Sequence, residues 1–198
     1  MPNDVQPEPD TKDWTWVLER PCAECGFDPA AQALTDLPRL VQDTAMRWSR
    51  VLERDDVAER PAPHVWSALE YACHVRDVHV LFEQRLRAML DEDEPTFANW
   101  DQDATAVEND YANQDAAVVA VELLEAAGTV AGTYASVTDA TKDRPGLRSN
   151  GDRFTVETLG SYHLHDVVHH LHDVGRAMGD ALDQSWDELS AVRDEVSP

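Results

Sequence analysis

The chain has 198 residues, enough for one domain with a substantial core and too few for two comfortable ones. Its 16 Lys and Arg stand against 39 Asp and Glu, and the net charge of −23 repels phosphate backbones and anionic membrane surfaces, which argues against nucleic acid and membrane as partners. Three cysteines are too few for a disulfide framework, no run approaches the roughly 20 apolar residues of a bilayer span, and the acidic, polar opening is unlike a signal peptide, so the expected location is cytoplasmic.

Residues 1–13 are rich in proline and acids with no apolar period, and read as a flexible acidic arm. Residues 14–35 begin with Trp14, Trp16 and Val17 and turn at Pro21-Cys22-Ala23-Glu24-Cys25-Gly26, the pattern of a docked N-terminal extension. Leu37, Leu40, Val41, Thr44, Trp48, Val51 and Leu52 recur at three- and four-residue steps, which predicts a helix from near Asp36 with Pro38 in its first turn. Ser67-Ala68-Leu69-Glu70 is a capping box, and Trp66 ahead of it is placed to staple onto Tyr71. The apolar stripe of that second helix continues through Val75, Val78, Phe82, Leu86 and Met89 to about Leu90.

The connection 91–115 holds nine acids and no Lys or Arg, and reads as a solvated, charge-extended loop whose aromatics pack somewhere on the body. It lacks the spacing of a calcium loop. A third helix carries Ala116, Ala120, Leu123, Ala127, Val130 and Tyr134 on one side. A second long connection follows, with turns at Pro145-Gly146 and Asn150-Gly151. The fourth helix runs from about Thr155 to about Leu182, and residues 186–198 form an acidic tail. With no convincing strand run, the fold class is all-α: a four-helix bundle over 36–185 with long connections, the second of which suits a crossover better than a simple up-down-up-down order.

Seven of the eight histidines fall on two of these helices, His74 and His79 on the second, and His163, His165, His169, His170 and His172 on the fourth. At about 100° per residue, His163, Asp166 and His170 share one margin of the buried stripe, while His165 and His172 lie on the other margin and His169 points away from the core. Asp166 and His170, one turn apart, are therefore the better-placed pair for a metal, with His74 on the inner side of the second helix as third ligand and Glu70 or Asp77 available to orient its ring. Three ligands leave coordination positions open, the catalytic pattern. Imidazole and carboxylate suit zinc first, and nickel, iron or manganese also.

Trp66-Ser67-x-x-Glu70-x-x-x-His74, followed far downstream by Asp166-x-x-x-His170-x-x-Asp173, resembles the DinB-like superfamily, which includes YfiT-like proteins and mycothiol-dependent maleylpyruvate isomerases. The resemblance covers about 36–182 and implies a four-helix metalloprotein with His74, Asp166 and His170 in the ligand places. The first residue of the pair is usually His or Glu in that family, and the shorter Asp166 keeps His163, or the pair His165 and His169, as alternative ligands. The resemblance also implies a divalent-metal-dependent S-transferase or isomerase using a low-molecular-weight thiol of the mycothiol type on a small-molecule substrate. Alternatives are a metal-dependent hydrolase, and a non-catalytic metal-binding stress-response protein; a homodimer is compatible with each.

Cys22-x-x-Cys25 is half of a zinc knuckle without a second cysteine pair, and reads as a tight turn docking the extension. Cys73 reads as packed. Arg144, Arg148 and Arg153 gather positive charge just before the fourth helix, and Arg148 and Arg153 are the candidates for clamping an anionic substrate.

Overall fold

The computed structural model describes residues 12–177. Its helices are α1 (Leu37–Leu52), α2 (Ala68–Asp91), a short α3 (Gln102–Glu108), α4 (Ala116–Ala135) and α5 (Val156–Ala177). The capping box forms as written: Ser67 Oγ accepts from the Glu70 amide at 3.2 Å, and Glu70 accepts from the Ser67 amide at 2.8 Å. Trp66 and Tyr71 meet edge to face with centroids 5.4 Å apart, which fixes the angle at which the chain enters α2. Asp115 caps α4 by accepting from the amides of Ala117 and Val118.

The apolar stripes of α1, α2 and α4 converge, and Leu40, Val41, Trp48, Val75, Val78, Leu86, Leu123 and Val130 are buried together. Both α1 and α2 pack against α4 and α5, so the two helices consecutive at the start of the bundle sit across it from each other. A simple sequential order is excluded, as the long second connection suggests. Gly160 permits one close approach: a Cβ there would collide with Leu37 and lie 3.2 Å from the Tyr134 ring.

Three expectations need correction. A three-stranded sheet is present, with β1 (Thr96–Phe97) parallel to β2 (Pro145–Arg148) and β2 antiparallel to β3 (Arg153–Thr155). These strands are two to four residues long, too short to show an alternating pattern, and they form because the two long connections meet over the end of α2. Connection 91–115 accordingly is no solvated loop: it supplies β1 and α3 and buries Phe97 and Tyr111. Finally, α4 is long and apolar enough to cross a membrane by length and composition; here its inner face, Val119, Leu123, Ala127 and Tyr134, is core of the bundle.

The N-terminal extension lies against the last helix. A 3-10 turn at Thr15–Leu18 lies against α5, and Cys22 to Phe27 close a tight loop through Cys22 N–H to Phe27 O at 2.8 Å and Gly26 N–H to Cys22 O at 2.9 Å. Gly26 has φ +76°, a left-handed conformation that glycine adopts at little cost. The arm ahead of Lys12, the expected end of the fourth helix beyond Ala177 and the acidic tail lie outside the described residues.

Candidate metal centre

Helix α2 carries His74 into the bundle, where the ring is fully buried, and α5 presents Asp166 and His170 one turn apart opposite it. The donor atoms converge: His74 Nε2 is 3.5 Å and His170 Nε2 is 3.8 Å from Asp166 Oδ1, and one ligand atom from each of the three residues falls within 4.8 Å of the others. Both ring nitrogens of His74, and Asp166 Oδ1, are buried with no hydrogen-bond partner among the described residues. An orphaned imidazole facing an orphaned carboxylate oxygen costs several kcal/mol in a dry interior unless a third species satisfies both. The residues therefore fit a divalent cation.

The environment sets the protonation states such a cation needs. Burial lowers the His74 pKa and keeps the ring neutral. Burial works against ionisation of Asp166, but the facing His74 ring and the neighbouring His170 hold its carboxyl well below the usual range. His170 Nδ1 is 3.3 Å from Asp173 Oδ2, which turns Nε2 toward Asp166. Neither Glu70 nor Asp77 orients His74, contrary to expectation. Glu70 is engaged by Arg60 and the Ser67 amide, and Asp77 by Arg76 and the Tyr111 hydroxyl.

Aromatic rings wall the site. Trp100 stacks on His74 at 5.2 Å with planes 16° apart, Trp66 lies 5.4 Å from the same ring, and Tyr71 covers His170 at 5.2 Å. Trp100 comes from the connection between β1 and α3, which gives that segment a role at the site.

The arginines divide. Arg144 binds the carbonyls of Met89 and Glu92 at the end of α2, a structural tie. Arg153 pairs with Glu94 at the surface. Arg148 is three-quarters buried, hydrogen-bonds Tyr162 and pairs with Asp152 at 3.3 Å, while its Nε has no partner. Sequence reading missed Arg85, one turn beyond Phe82 on α2. It is 8% exposed and its Nε is also unpartnered; burial and the nearby Arg148 charge lower its pKa to about 10, while Asp166 acts in the opposite sense. Its signal in the sequence is an arginine beside Leu86, three residues after Phe82 on the inner stripe of the helix.

The three histidines weighed as alternative ligands, His163, His165 and His169, lie in other surroundings. His163 is locked in the core, Nε2 to His79 Nδ1 at 2.9 Å and Nδ1 to the Tyr134 hydroxyl at 3.1 Å. His165 and His169 face the other way, onto the docked extension, where each is less than 7% exposed. The helical wheel put His169 in solvent because it counted only the bundle interior as buried; the extension covers that outer face. There Cys22 Sγ lies 3.7 Å from His169 Nδ1, and burial pushes the Cys25 thiol up to about 12. Cys73 is packed, as its place on the helix suggested, with its thiol toward Gln114.

Comparison with known proteins agrees with this architecture. A family model described as the DinB superfamily matches residues 28–174. No curated protein matches the chain. A solved structure, YfiT from Bacillus subtilis, is similar with a TM-score of 0.65 and 20% identity over 74% of this chain and 87% of that one; it is described as a probable metal-dependent hydrolase with an unusual four-helix bundle topology. The family match spans the bundle from before α1 to the last turns of α5, and the chain belongs to the DinB superfamily.

Proposed function

We propose that this protein is a divalent-metal-dependent enzyme in which His74, Asp166 and His170 hold the ion and Arg148 and Arg85 receive an anionic, electrophilic substrate. The observation that carries the reading is the buried, partnerless His74 ring facing Asp166 Oδ1 across an aromatic-walled space. A divalent ion held there supplies Lewis acidity, lowering the pKa of a thiol or water in an open position. Trp66, Trp100 and Tyr71 exclude bulk water from the reacting groups and offer flat faces to an unsaturated substrate. Arg148 and Arg85 are a local positive pair in a chain of charge −23, and each has a buried N–H still to donate, which suits a carboxylate. Arg153 is paired with Glu94 at the surface and is given no part in binding the substrate.

The reaction that best matches these parts is thiol transfer or thiol-assisted isomerisation with a mycothiol-type thiol. The sulfur forms a bond to the electrophilic carbon; in transfer the thiol proton ends on the adjacent carbon or departs with the leaving group, and in isomerisation the C–S bond breaks again after rotation about the adjacent C–C bond and the thiol is released. Zinc is the first choice of ion, with nickel, iron and manganese compatible with the same donors. Hydrolysis is the second reading, favoured by the description of YfiT. Untagged, dialysed protein should convert a carboxylate-bearing electrophile only when a low-molecular-weight thiol is present, consuming the thiol in transfer and regenerating it in isomerisation, in preference to hydrolysing an ester panel. Arg85→Met should raise KM for the anionic electrophile about tenfold with a smaller change in kcat, the loss of one charge-assisted hydrogen bond. His74→Ala and His170→Ala proteins that retain wild-type metal content and turnover would end the proposal.

A further inference from the structure

We infer that Cys22, Cys25, His165 and His169 form a separate zinc site, closed and tetrahedral, that fastens the N-terminal extension to the outer face of α5. The inference does not depend on the proposed enzymatic reading. One ligand atom from each of the four side chains falls within 4.8 Å of all the others. Zinc bonded to sulfur at about 2.3 Å and to nitrogen at about 2.0–2.1 Å separates its tetrahedral ligands by roughly 3.3–3.8 Å, and the 3.7 Å from Cys22 Sγ to His169 Nδ1 lies inside that range.

The surroundings are built for a cation. All four residues are buried, at 1%, 4%, 3% and 6% exposure in chain order, and both thiols are free. His165 Nε2 is buried with no hydrogen-bond partner, an orphan in a cluster that otherwise offers sulfur and nitrogen lone pairs. The Phe27 amide hydrogen-bonds the Cys25 sulfur, and Gly26 makes the left-handed turn that brings the two cysteines of the C-x-x-C loop to one side. The far nitrogen of His169 points to Asp173 Oδ2 at 3.8 Å and Glu24 Oε2 at 3.9 Å, carboxylates that would hold Nδ1 toward the metal.

Trp14 lies 4.8 Å from the His169 ring and 5.5 Å from His165, and Phe27 covers His165 at 5.4 Å. Four protein ligands under an aromatic cover leave no position for substrate, which marks a structural site, and two thiolates with two imidazoles select zinc among common divalent ions. The ligand pairs of the two centres interleave on α5, His165 with His169 and Asp166 with His170, about 100° apart around the helix. The DinB match begins at residue 28, so both cysteines precede the matched segment while both histidines lie within it.

Cobalt substitution of the reduced, full-length protein tests this. Cobalt held by two thiolates in a tetrahedron gives sulfur-to-metal charge-transfer absorption that the His74 centre, lacking sulfur, does not produce. We expect that absorption in the wild type and in His170→Ala, its loss in Cys22→Ser/Cys25→Ser, and one equivalent less zinc in the double variant. Should the variant not fold, the wild type still decides: stripping zinc with a chelator should unmask Cys22 and Cys25 to a thiol reagent while leaving Cys73 slow. A folded wild type that binds cobalt without sulfur absorption, or whose Cys22 and Cys25 react equally before and after chelation, overturns the site. Because His170→Ala removes only the other centre, failure of one reading is distinguishable from failure of the other.

Discussion

His163 shows how much a single residue on this scaffold is decided by contacts far off in sequence. Its ring sits between His79 and the Tyr134 hydroxyl, and burial pulls its pKa down to about 4, so it is a neutral link in a core hydrogen-bond chain. Tyr134→Phe strands Nδ1 in a dry interior. Thermal melting should show a loss of about 1–3 kcal/mol with the metal content unchanged, since neither ring touches the two candidate centres. The helical wheel placed His163, Asp166 and His170 together on the inward margin, and two of the three do meet His74. What the wheel lacked was a second buried direction. The wheel points His169 to solvent and sets His165 on the opposite margin because the extension that covers them is written 147 residues away from His169 at Cys22. Spacing along one helix carries no information about such a partner.

At the scale of elements, α1, α2 and α4 were legible because each has a long apolar stripe and α2 begins with a recognisable cap. The strands were illegible because nothing in two to four residues distinguishes a strand from a loop. The start of α2 also carries a pH dependence. Burial disfavours the Glu70 carboxylate, but hydrogen bonds from Arg60 and the Ser67 amide outweigh it and the pKa is lowered. The folded value lies below the unfolded one, so the stabilisation is present above the unfolded pKa of about 4.3 and is lost as pH falls through the folded value. Glu70→Gln should therefore be less stable at neutral pH and should flatten the acid limb of stability against pH. Urea midpoints at a series of pH values check this; parallel curves for the two proteins would refute it.

For the whole molecule, 39 acids against 16 bases means that folding concentrates like charge. Added salt should raise the melting temperature at neutral pH, because screening relieves self-repulsion spread over the entire surface more than it weakens the few exposed ion pairs. Calorimetry in increasing sodium chloride measures it, and a falling melting temperature would show that ion pairs such as Arg76–Glu122 dominate instead. The acidic surface also makes the Arg85–Arg148 pair conspicuous as the inner destination for an anion that must first approach a negative exterior.

The interleaving of the two ligand pairs on α5 constrains how this gene can drift. A single-residue insertion ahead of His165 would turn the rest of the helix by about 100°, carrying His165 and His169 into the angular slot of Asp166 and His170 and leaving Cys22 and Cys25 without partners. One small length change would thus rewrite both centres at once, so this turn of α5 can diversify by substitution but not by insertion or deletion.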